Sequence, residues 1–598
     1  MTIRQALLIA ATCLTGTLAM TATATVSDKE QAMNLCGHEI HDSSSLRGRA
    51  ARSVGWKSHK HHANRSVSFK ILGFNDFHGA LEQRTLFNRP VGGAAVLAAY
   101  FEAEAAESDN GAIIVHAGDH VGASPPVSAL LQDEPSIQFL NLLGNKFCRR
   151  QFKLHPKCNL VGTLGNHEFD EGVTEMRRLI NGGNSDRGPF LADPYRGTTF
   201  PYINANVVYV DSGKTVLPPY VIKKVKGVKV AFIGAVLKET PTIVTPTGVA
   251  GVAFQDEADA INAVVGQLKR RGVRAIVVTI HQGARQPSFN GPAGEEPLPL
   301  DGAIGDIVNR LDDEVDIVVS GHSHGFTNQL ANNQNGTPIL VTQAFSSGTA
   351  YADIDVVVDR KTGDIVEKRS TIITTWADEG PGLTPDQTVA QLVTKAVDIV
   401  QPLVERMVGT AAVDITREED SAGESALGNL IADAQRAATG TDVAFMNPGG
   451  IRADVMSGSV TWGDLFTIQP FGNDLIEMDL TGQQIIDLLN QQWSGGNAGS
   501  PRILKTSGIN YQWDASLPAD SRVVAGSVLI GGAPLELNGV YTVTANSFIA
   551  AGGDNFTVLP LGGNRVTGPV DLDALISFIE AQPQPFSAEV EGRIQRLN

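Results

Sequence analysis

Leu160-Val161-Gly162-Thr163-Leu164-Gly165-Asn166-His167-Glu168-Phe169-Asp170 holds, in one short run, the pattern from which the rest of the chain can be read. The apolar pair Leu160-Val161 has the character of a strand, and Gly162 and Gly165 give the backbone freedom to turn sharply after it. Three side chains able to bind a metal or move a proton then follow together: Asn166, His167 and Asp170. A single such segment decides little. Its weight depends on whether other strand ends carry partners of matching chemistry.

They do, on both sides. Upstream, Val67, Phe69 and Ile71 alternate as in a strand that delivers Asn75-Asp76-Phe77-His78. The alanine-rich segment from Gly93 to Glu107 reads as a helix, and Ala112-Ile113-Ile114-Val115 as a second strand ending in Gly118-Asp119. Downstream, the apolar run from Val228 to Val236 ends without a ligand, whereas Ala275 to Ile280 ends in His281-Gln282-Gly283. Asp316 to Val319 leads to Ser320-Gly321-His322-Ser323-His324. Between them, segments such as Glu257 to Arg270 have helical spacing, so the expectation is a layered α/β domain.

From Asp386 to Val408 a connecting helix is expected, with Pro381 and Pro385 before it and Gly409 after it. A second α/β unit follows. Leu427, Leu430, Ile431 and Ala434 form an apolar helical stripe, Val443 to Met446 a strand, Gly482 to Trp493 a helix, and Val540 to Thr544 a late strand. No internal repeat relates the halves. The expected division is a signal peptide over 1–24, a leader over 25–65, a first domain over 66–375, a linker helix over 376–410 and a second domain over 411–598.

The 598 residues are too many for one ordinary core, and the composition, 42% hydrophobic and 19% charged, is globular. A formal charge of -17 argues against broad binding to nucleic acid or anionic membranes, but not against phosphate substrates, since bound divalent cations can invert the field locally. Arg4, an apolar segment from Ala6 to about Met20, and Ala22-Thr23-Ala24 follow the order of a secretory signal cleaved near Ala24. The apolar run is shorter than the roughly 20 residues of a membrane span. No apolar tail follows Phe586, so no C-terminal membrane anchor is expected. Cys148 and Cys158 flank a basic loop and read as a local disulfide of an oxidising compartment, Cys36 being left over in the polar leader. His59, His61 and His62 cluster in that leader without periodicity.

Thirteen histidines occur in the chain, and His78, His167, His281, His322 and His324 each lie at or just beyond the end of an apolar strand. In open α/β sheets those ends converge on the ligand crevice. With Asp76, Asp119 and Asn166 in the same kind of place, chance placement is a poor explanation. Imidazole with carboxylate suits zinc, manganese or iron, whereas an oxygen-only set would favour magnesium or calcium. The donors exceed what one tetrahedral ion needs and are about enough for two divalent ions roughly 3.5–4 Å apart, a spacing an aspartate can bridge.

Asp76-Phe77-His78, Gly118-Asp119, Gly165-Asn166-His167-Glu168, His281 and Gly321-His322-Ser323-His324 resemble the five blocks of the calcineurin-like metallophosphatases. The versions Asn75-Asp76-Phe77-His78-Gly79 and Gly165 to Asp170 are similar to those of the secreted 5′-nucleotidases. The resemblance implies a β-sandwich flanked by helices with a second, smaller α/β substrate-binding domain. It also implies that Asp76, His78, Asp119 and His324 hold one metal, and that Asp119, Asn166, His281 and His322 hold the other. His167, backed by Asp170, would touch the phosphate or its leaving oxygen. His116 and His120 have no role in that pattern and read as packing or supporting residues.

The resemblance extends to Glu424–Asp433, Asn447-Pro448-Gly449-Gly450-Ile451-Arg452, Gln469–Asn473, Asn546-Ser547-Phe548 and Gly552-Gly553-Asp554, over roughly residues 66 to 590. Taken alone, Phe471 and Phe548 fit a core or an exposed ring equally. With the resemblance they become a clamp on a flat base. Asp554 would then accept from ribose hydroxyls, Asn447 contact the base, and Arg452 fork onto phosphate or carboxylate oxygens. One departure stands out: Gly423 occupies the position of an arginine that precedes the Glu-x-x-x-Gly-Asn motif in this family, with Arg417 slightly upstream.

The function implied is a secreted two-metal phosphoesterase that hydrolyses nucleoside 5′-phosphates to nucleoside and phosphate by a metal-bound hydroxide. Its partner is a small nucleotide, with no stable nucleic-acid complex, and a hinge near residues 375–410 would open the cleft. Alternatives on the same residues are a 2′,3′-cyclic nucleotide phosphodiesterase, a nucleotide-sugar hydrolase, an exported nuclease or a sulfur-compound hydrolase. A non-catalytic secreted nucleotide-binding module is a further one.

Overall fold

A computed structural model describes residues 65–598, apart from residues 285, 287–291 and 525. The signal sequence, the histidine-rich leader and Cys36 lie outside the described residues.

The alternation in Ser66–Phe74 sorts its side chains between two cores. Val67, Phe69 and Ile71 point to one side, while Leu72 and Phe74 point to the other. This strand lies inside a six-stranded sheet whose order is Ile365–Thr374, Ala350–Asp359, Ser66–Phe74, Ala112–His116, Leu160–Thr163, Tyr202–Ile203. A second six-stranded sheet runs Phe326–Asn332, Pro338–Ala344, Ile317–Val319, Ala275–His281, Val228–Val236, Tyr220–Val225. Val67, Phe69, Ile71 and Val115 of the first sheet meet Val230, Phe232, Val277 and Ile317 of the second in one buried layer. The outer faces are covered by helices, Ala94–Glu107 and Glu134–Leu143 on the first sheet and Glu257–Arg270 and Ala303–Arg310 on the second. The result is a β-sandwich flanked by helices. Central strands buried on both faces explain the unbroken apolar runs in the sequence.

Within each sheet the strands that precede the expected site residues are parallel neighbours: Ser66–Phe74 pairs with Ala112–His116, which pairs with Leu160–Thr163. In the other sheet Ala275–His281 pairs in parallel with Ile317–Val319. Their carboxyl ends therefore emerge along one edge of the sandwich.

The helix Gln387–Val404 begins at Asp386, whose carboxylate accepts from the Val389 amide at 2.8 Å. It packs Val389, Ala396 and Val400 into the core beneath the first sheet. Met407–Ala411 then pairs with Gly458–Thr461, and the chain builds a five-stranded sheet from Lys505–Ser507, Val443–Met446, Val540–Asn546, Asp474–Thr481 and Gly563–Val570. Helices Ala426–Thr439 and Asp571–Ala581 share one core with it, and Gly482–Asn490 another. Glu424, in the Glu-x-x-x-Gly-Asn motif, is fully buried. It accepts from Asn429 Nδ2 at 2.7 Å and from the amides of Glu591 and Ile594 at 2.7 and 3.1 Å. That part of the motif ties the C-terminal segment to the domain. Cys148 and Cys158 form a disulfide.

Candidate active site

The five loops that carry the expected site residues meet at one edge of the sandwich, and the backbone there is held in unusual conformations. Asp76, His78, Asp119, His322 and His324 all have positive φ, between 48° and 75°. Asp and His enter this left-handed region more readily than bulkier residues, but at a cost. The sequence suggested that Gly162 and Gly165 supply the turning. Their contribution is space: a Cβ on Gly165 would lie 2.1 Å from Asp119 Oδ1, and one on Gly162 2.1 Å from His116 Nε2.

Glu168 organises two of these loops. Buried beneath the site, it accepts from the amides of Asp119 and His120 at 3.0 and 2.9 Å and from that of Gly165 at 2.5 Å. Burial, with the neighbouring Asp119, pushes its carboxyl up to about 7. Asn75 performs a similar service for a third loop: its Nδ2 donates to Asp76 Oδ2 and to the Phe345 carbonyl, each at 2.6 Å.

The polar atoms then converge. Asp119 Oδ2 lies 2.9 Å from His281 Nε2 and 3.8 Å from His78 Nε2. Asp76 Oδ1 lies 3.3 Å from His324 Nε2, and His78 Nε2 faces His324 Nε2 at 3.1 Å. His322 Nδ1 and Asn166 Oδ1 are 3.0 Å apart. Donor atoms lie close enough to hold an ion in three groups: Asp76, His78 and His324; Asp119, His281 and His322; and His78, Asp119 and His167. Asp119 joins the His78 side to the His281 side.

Two observations show that this donor set fits a divalent cation. His78 Nδ1 is 2.8 Å from the Gly122 carbonyl and His281 Nδ1 2.7 Å from that of Ala117, so in each ring Nδ1 donates to the backbone and Nε2 is the atom turned to the carboxylates. His281 Nε2 is fully buried and lies 2.9 Å from Asp119 Oδ2, with which it forms a close His–carboxylate pair. Burial opposes a charge on His281, but Asp119 and Asp76 overcome it and push the ring up to about 9. Burial would likewise raise the Asp119 carboxyl, yet His281, His167 and His78 hold it well below the usual carboxylate range. The cluster is short of positive charge at its centre, which a cation would supply.

His167 is placed differently. Its Nδ1 lies 2.7 Å from Asp170 Oδ2, its amide donates to Asp119 Oδ1 at 2.8 Å, and its ring stacks on Phe471 at a centroid distance of 6.0 Å. Although burial disfavours its charge, Asp170 and Asp119 raise its proton affinity above the ordinary value. His116 and His120 are packing groups. His120 stacks on Phe77 at 5.0 Å, and His116 contacts Tyr202 edge-on at 5.0 Å.

Beside the cluster is a cavity of about 250 Å³. Asn166, His167, Asp170 and His322 are among its lining residues, together with Asn447, Arg452, Phe471, Phe548 and Asp554 from the C-terminal half. Phe471 and Phe548 are both partly exposed there, so neither is a buried core ring. The Arg452 guanidinium is 6.0 Å from the Phe471 ring and lies in the field of Asp170 and Asp119. Asp554 accepts from Asn447 Nδ2 at 2.8 Å, and Asn447 Oδ1 accepts from Asn546 at 2.9 Å. Sequence reading gave no role to Asn473 and Arg502, which also line the cavity. Arg502 stands in a polar loop without periodicity, and nothing local marks it.

Residues 69–326 match the family model of the calcineurin-like phosphoesterase domain, and residues 407–560 that of the 5′-nucleotidase C-terminal domain. A cell wall protein of Listeria monocytogenes, Lmo0130, is 32% identical over 569 residues, 88% of this chain and 69% of the relative. The chain belongs to the 5′-nucleotidase family. These are calcineurin-like phosphoesterases, hydrolases of phosphoric esters. Endonuclease YhcR of Bacillus subtilis is 36% identical over 555 residues, which are 91% of this chain and 42% of YhcR. This member of the family therefore spans less than half the length of that relative. The crystal structure of a 5′-nucleotidase precursor from Thermus thermophilus superposes with a TM-score of 0.71 at 28% identity, covering 89% of this chain and 99% of the other. Among the described residues, no helix of this family member is long and apolar enough to cross a membrane.

Proposed function

We propose that the chain hydrolyses nucleoside 5′-phosphates to nucleoside and phosphate. One observation carries the reading: a single cavity is lined both by His167 and His322, members of the Asp/His groups, with Asn166, and by two partly exposed aromatic rings, Phe471 and Phe548, with the buried Asp554 carboxylate. In this reading Asp76, His78, Asp119 and His324 hold one divalent ion, zinc, manganese or iron. Asp119, Asn166, His281 and His322 hold a second. Such ions lower the pKa of bound water and neutralise charge on a phosphoryl group.

The remaining work falls to the chain's own residues. Phe471 and Phe548 bracket the base, and Asn447 and Asp554 orient base and ribose. Arg452 forks onto the phosphate near His167. His167, its Nδ1 fixed by Asp170, presents Nε2 to the leaving oxygen and gives it a proton as the ester bond breaks. Both halves already line the cavity, so a hinge around residues 375–410 serves entry and release rather than approach. The metal-binding domain is taken as 66–375 and the nucleotide-binding domain as 411–598.

Export, with cleavage near Ala24, is part of the proposal, and the disulfide and the cell wall relative support it. The relative named as an endonuclease favours polymeric nucleic acid as a second reading. Purified protein stripped of metal, then given zinc, manganese or iron, is offered adenosine 5′-phosphate, a nucleotide sugar, a 2′,3′-cyclic nucleotide and single-stranded DNA. Phosphate release from the first, dependent on metal, is expected. No turnover of any substrate with any metal refutes the enzymatic reading, and cleavage of DNA alone replaces it with the second.

A further inference from the structure

The backbone explains the position at which the family's arginine is missing. Gly423 has a φ of +94°, and a Cβ there would lie 2.6 Å from Ile503 Cγ2. Conformation and space both exclude a side chain at 423. The residue beside Ile503, Arg502, instead brings its side chain to the cavity. Its Nη1 lies 3.3 Å from Asp554 Oδ1, while Asp554 Oδ2 is occupied by Asn447. Among the described residues, Arg502 Nε and Nη2 have no acceptor, on a side chain still 30% exposed. A guanidinium is always charged and carries five donors in a planar fork. The cavity that Arg502 lines already has Arg452, which acts on His167. The cavity thus has a cation near the metal-binding cluster and a second one at the Asp554 side.

We propose that Arg502 binds a second phosphoryl group carried on the 2′ or 3′ oxygen of the ribose. The substrates would then include nucleoside 5′-phosphates that bear a further phosphate on the sugar. The inference rests on the reading above, in which Asp554 faces the ribose. When the ribose has free hydroxyls, Asp554 accepts from them and Arg502 offsets its charge. When it carries a phosphate, the free edge of Arg502 supplies two parallel donors to the phosphate oxygens. The reaction is otherwise unchanged. A water oxygen bonds to the 5′ phosphorus, the bond from phosphorus to O5′ breaks, and O5′ takes a proton. Inorganic phosphate leaves with a nucleoside that keeps its sugar phosphate. That phosphate can be a monoester or the first diester of a 5′-phosphorylated oligonucleotide, which presents Arg502 with the same non-bridging oxygens.

The test compares phosphate release from adenosine 5′-phosphate, adenosine 3′,5′-bisphosphate and a 5′-phosphorylated dinucleotide. It uses the metal-loaded protein and the variants Arg502→Ala and Arg502→Lys. The ratio of kcat/KM for the bisphosphate to that for the monophosphate should fall about tenfold or more in Arg502→Ala, and recover in part in Arg502→Lys. The same fall with the dinucleotide identifies the diester as a source of the second phosphate, and a fall confined to the bisphosphate identifies the monoester. An unchanged ratio in Arg502→Ala, or a wild-type protein that turns over adenosine 5′-phosphate but not the bisphosphate, overturns the inference. Failure to turn over adenosine 5′-phosphate overturns the nucleotidase reading itself.

Discussion

Replacing Asp170 by Asn tests how His167 works. In the structure Asp170 Oδ2 is 2.7 Å from His167 Nδ1, on side chains only 20% and 13% exposed. Asparagine keeps the size and can still accept from Nδ1 but loses the charge. A charge-assisted hydrogen bond in a partly buried site contributes about 1.5–3 kcal/mol, so kcat should fall roughly ten- to hundredfold. The sign of the pH effect follows from the same contact. Asp170 helps raise the proton affinity of His167, so its loss lowers that affinity and moves the alkaline fall of kcat to lower pH. Metal content, measured by elemental analysis after gel filtration, should stay at the wild-type level, because Asp170 is outside the donor groups. Two companions sharpen the result. His167→Ala should also keep metal and lose rate, whereas Asn166→Ala should lose metal. The geometry allows a competing role, since His167 can join His78 and Asp119 around one ion. Equal metal loss in His167→Ala and Asn166→Ala would make His167 a ligand and refute the division of labour.

Two further predictions concern stability. Lys223, buried in Tyr220–Val225 with no hydrogen-bond partner for its Nζ among the described residues, is pushed down by burial to about 7. The unfolded chain then binds the extra proton between about pH 7 and 10.5, and stability should rise with pH across that window. Lys223→Met should remove this dependence and stabilise the protein at pH 7 by about 1–4 kcal/mol in denaturant unfolding. A destabilised variant would show that the ammonium has a partner in solution. Asp571 behaves oppositely. Burial, against the Leu572 amide and Asn473, raises its carboxyl to about 7. Its contribution is complete below the unfolded value near 3.8 and is lost as pH rises through about 7, at up to about 1.4 kcal/mol per pH unit. Asp571→Asn should flatten melting temperature against pH between 4 and 7, and an unchanged slope would count against the assignment.

The sequence disclosed the sandwich strands well because their signal is local. Val228–Val236, Val443–Met446 and the helix Glu257–Arg270 have the limits that the apolar patterns suggest, the helix starting at Asp256, which caps the Asp259 amide. The helix expected over Gly482 to Trp493 stops at Asn490, since Trp493 leaves the helical path to pack on Trp513 at 4.8 Å. The histidines at strand ends were visible for a similar reason: one chemistry recurs at one kind of place. What remained hidden depends on contacts between distant segments. Glu168 looks like part of a motif, but two of its three bonds to backbone amides reach a loop some 50 residues away. Glu424 and Asn429 read as substrate-domain signature and prove to be a tether to residues 589–594. Arg502 lines the cavity while its neighbour Ile503 fills the space beside Gly423, contacts that no local pattern announces.

The left-handed backbone of Asp76, His78, Asp119, His322 and His324 has an effect beyond the site. At about 1 kcal/mol or more for each residue, five such conformations approach the lower end of a domain's whole margin of about 5–15 kcal/mol. They persist because the rigid sheets behind them leave no alternative. A cavity cut deep in the sandwich, such as Phe232→Ala between the sheets, touches no ligand, yet it loosens the frame that keeps those loops bent. Its first symptom should be weaker metal retention, at temperatures where the sheets still give a native circular dichroism spectrum. Metal retention at the Asp/His cluster should thus serve as a remote gauge of how well the core is packed.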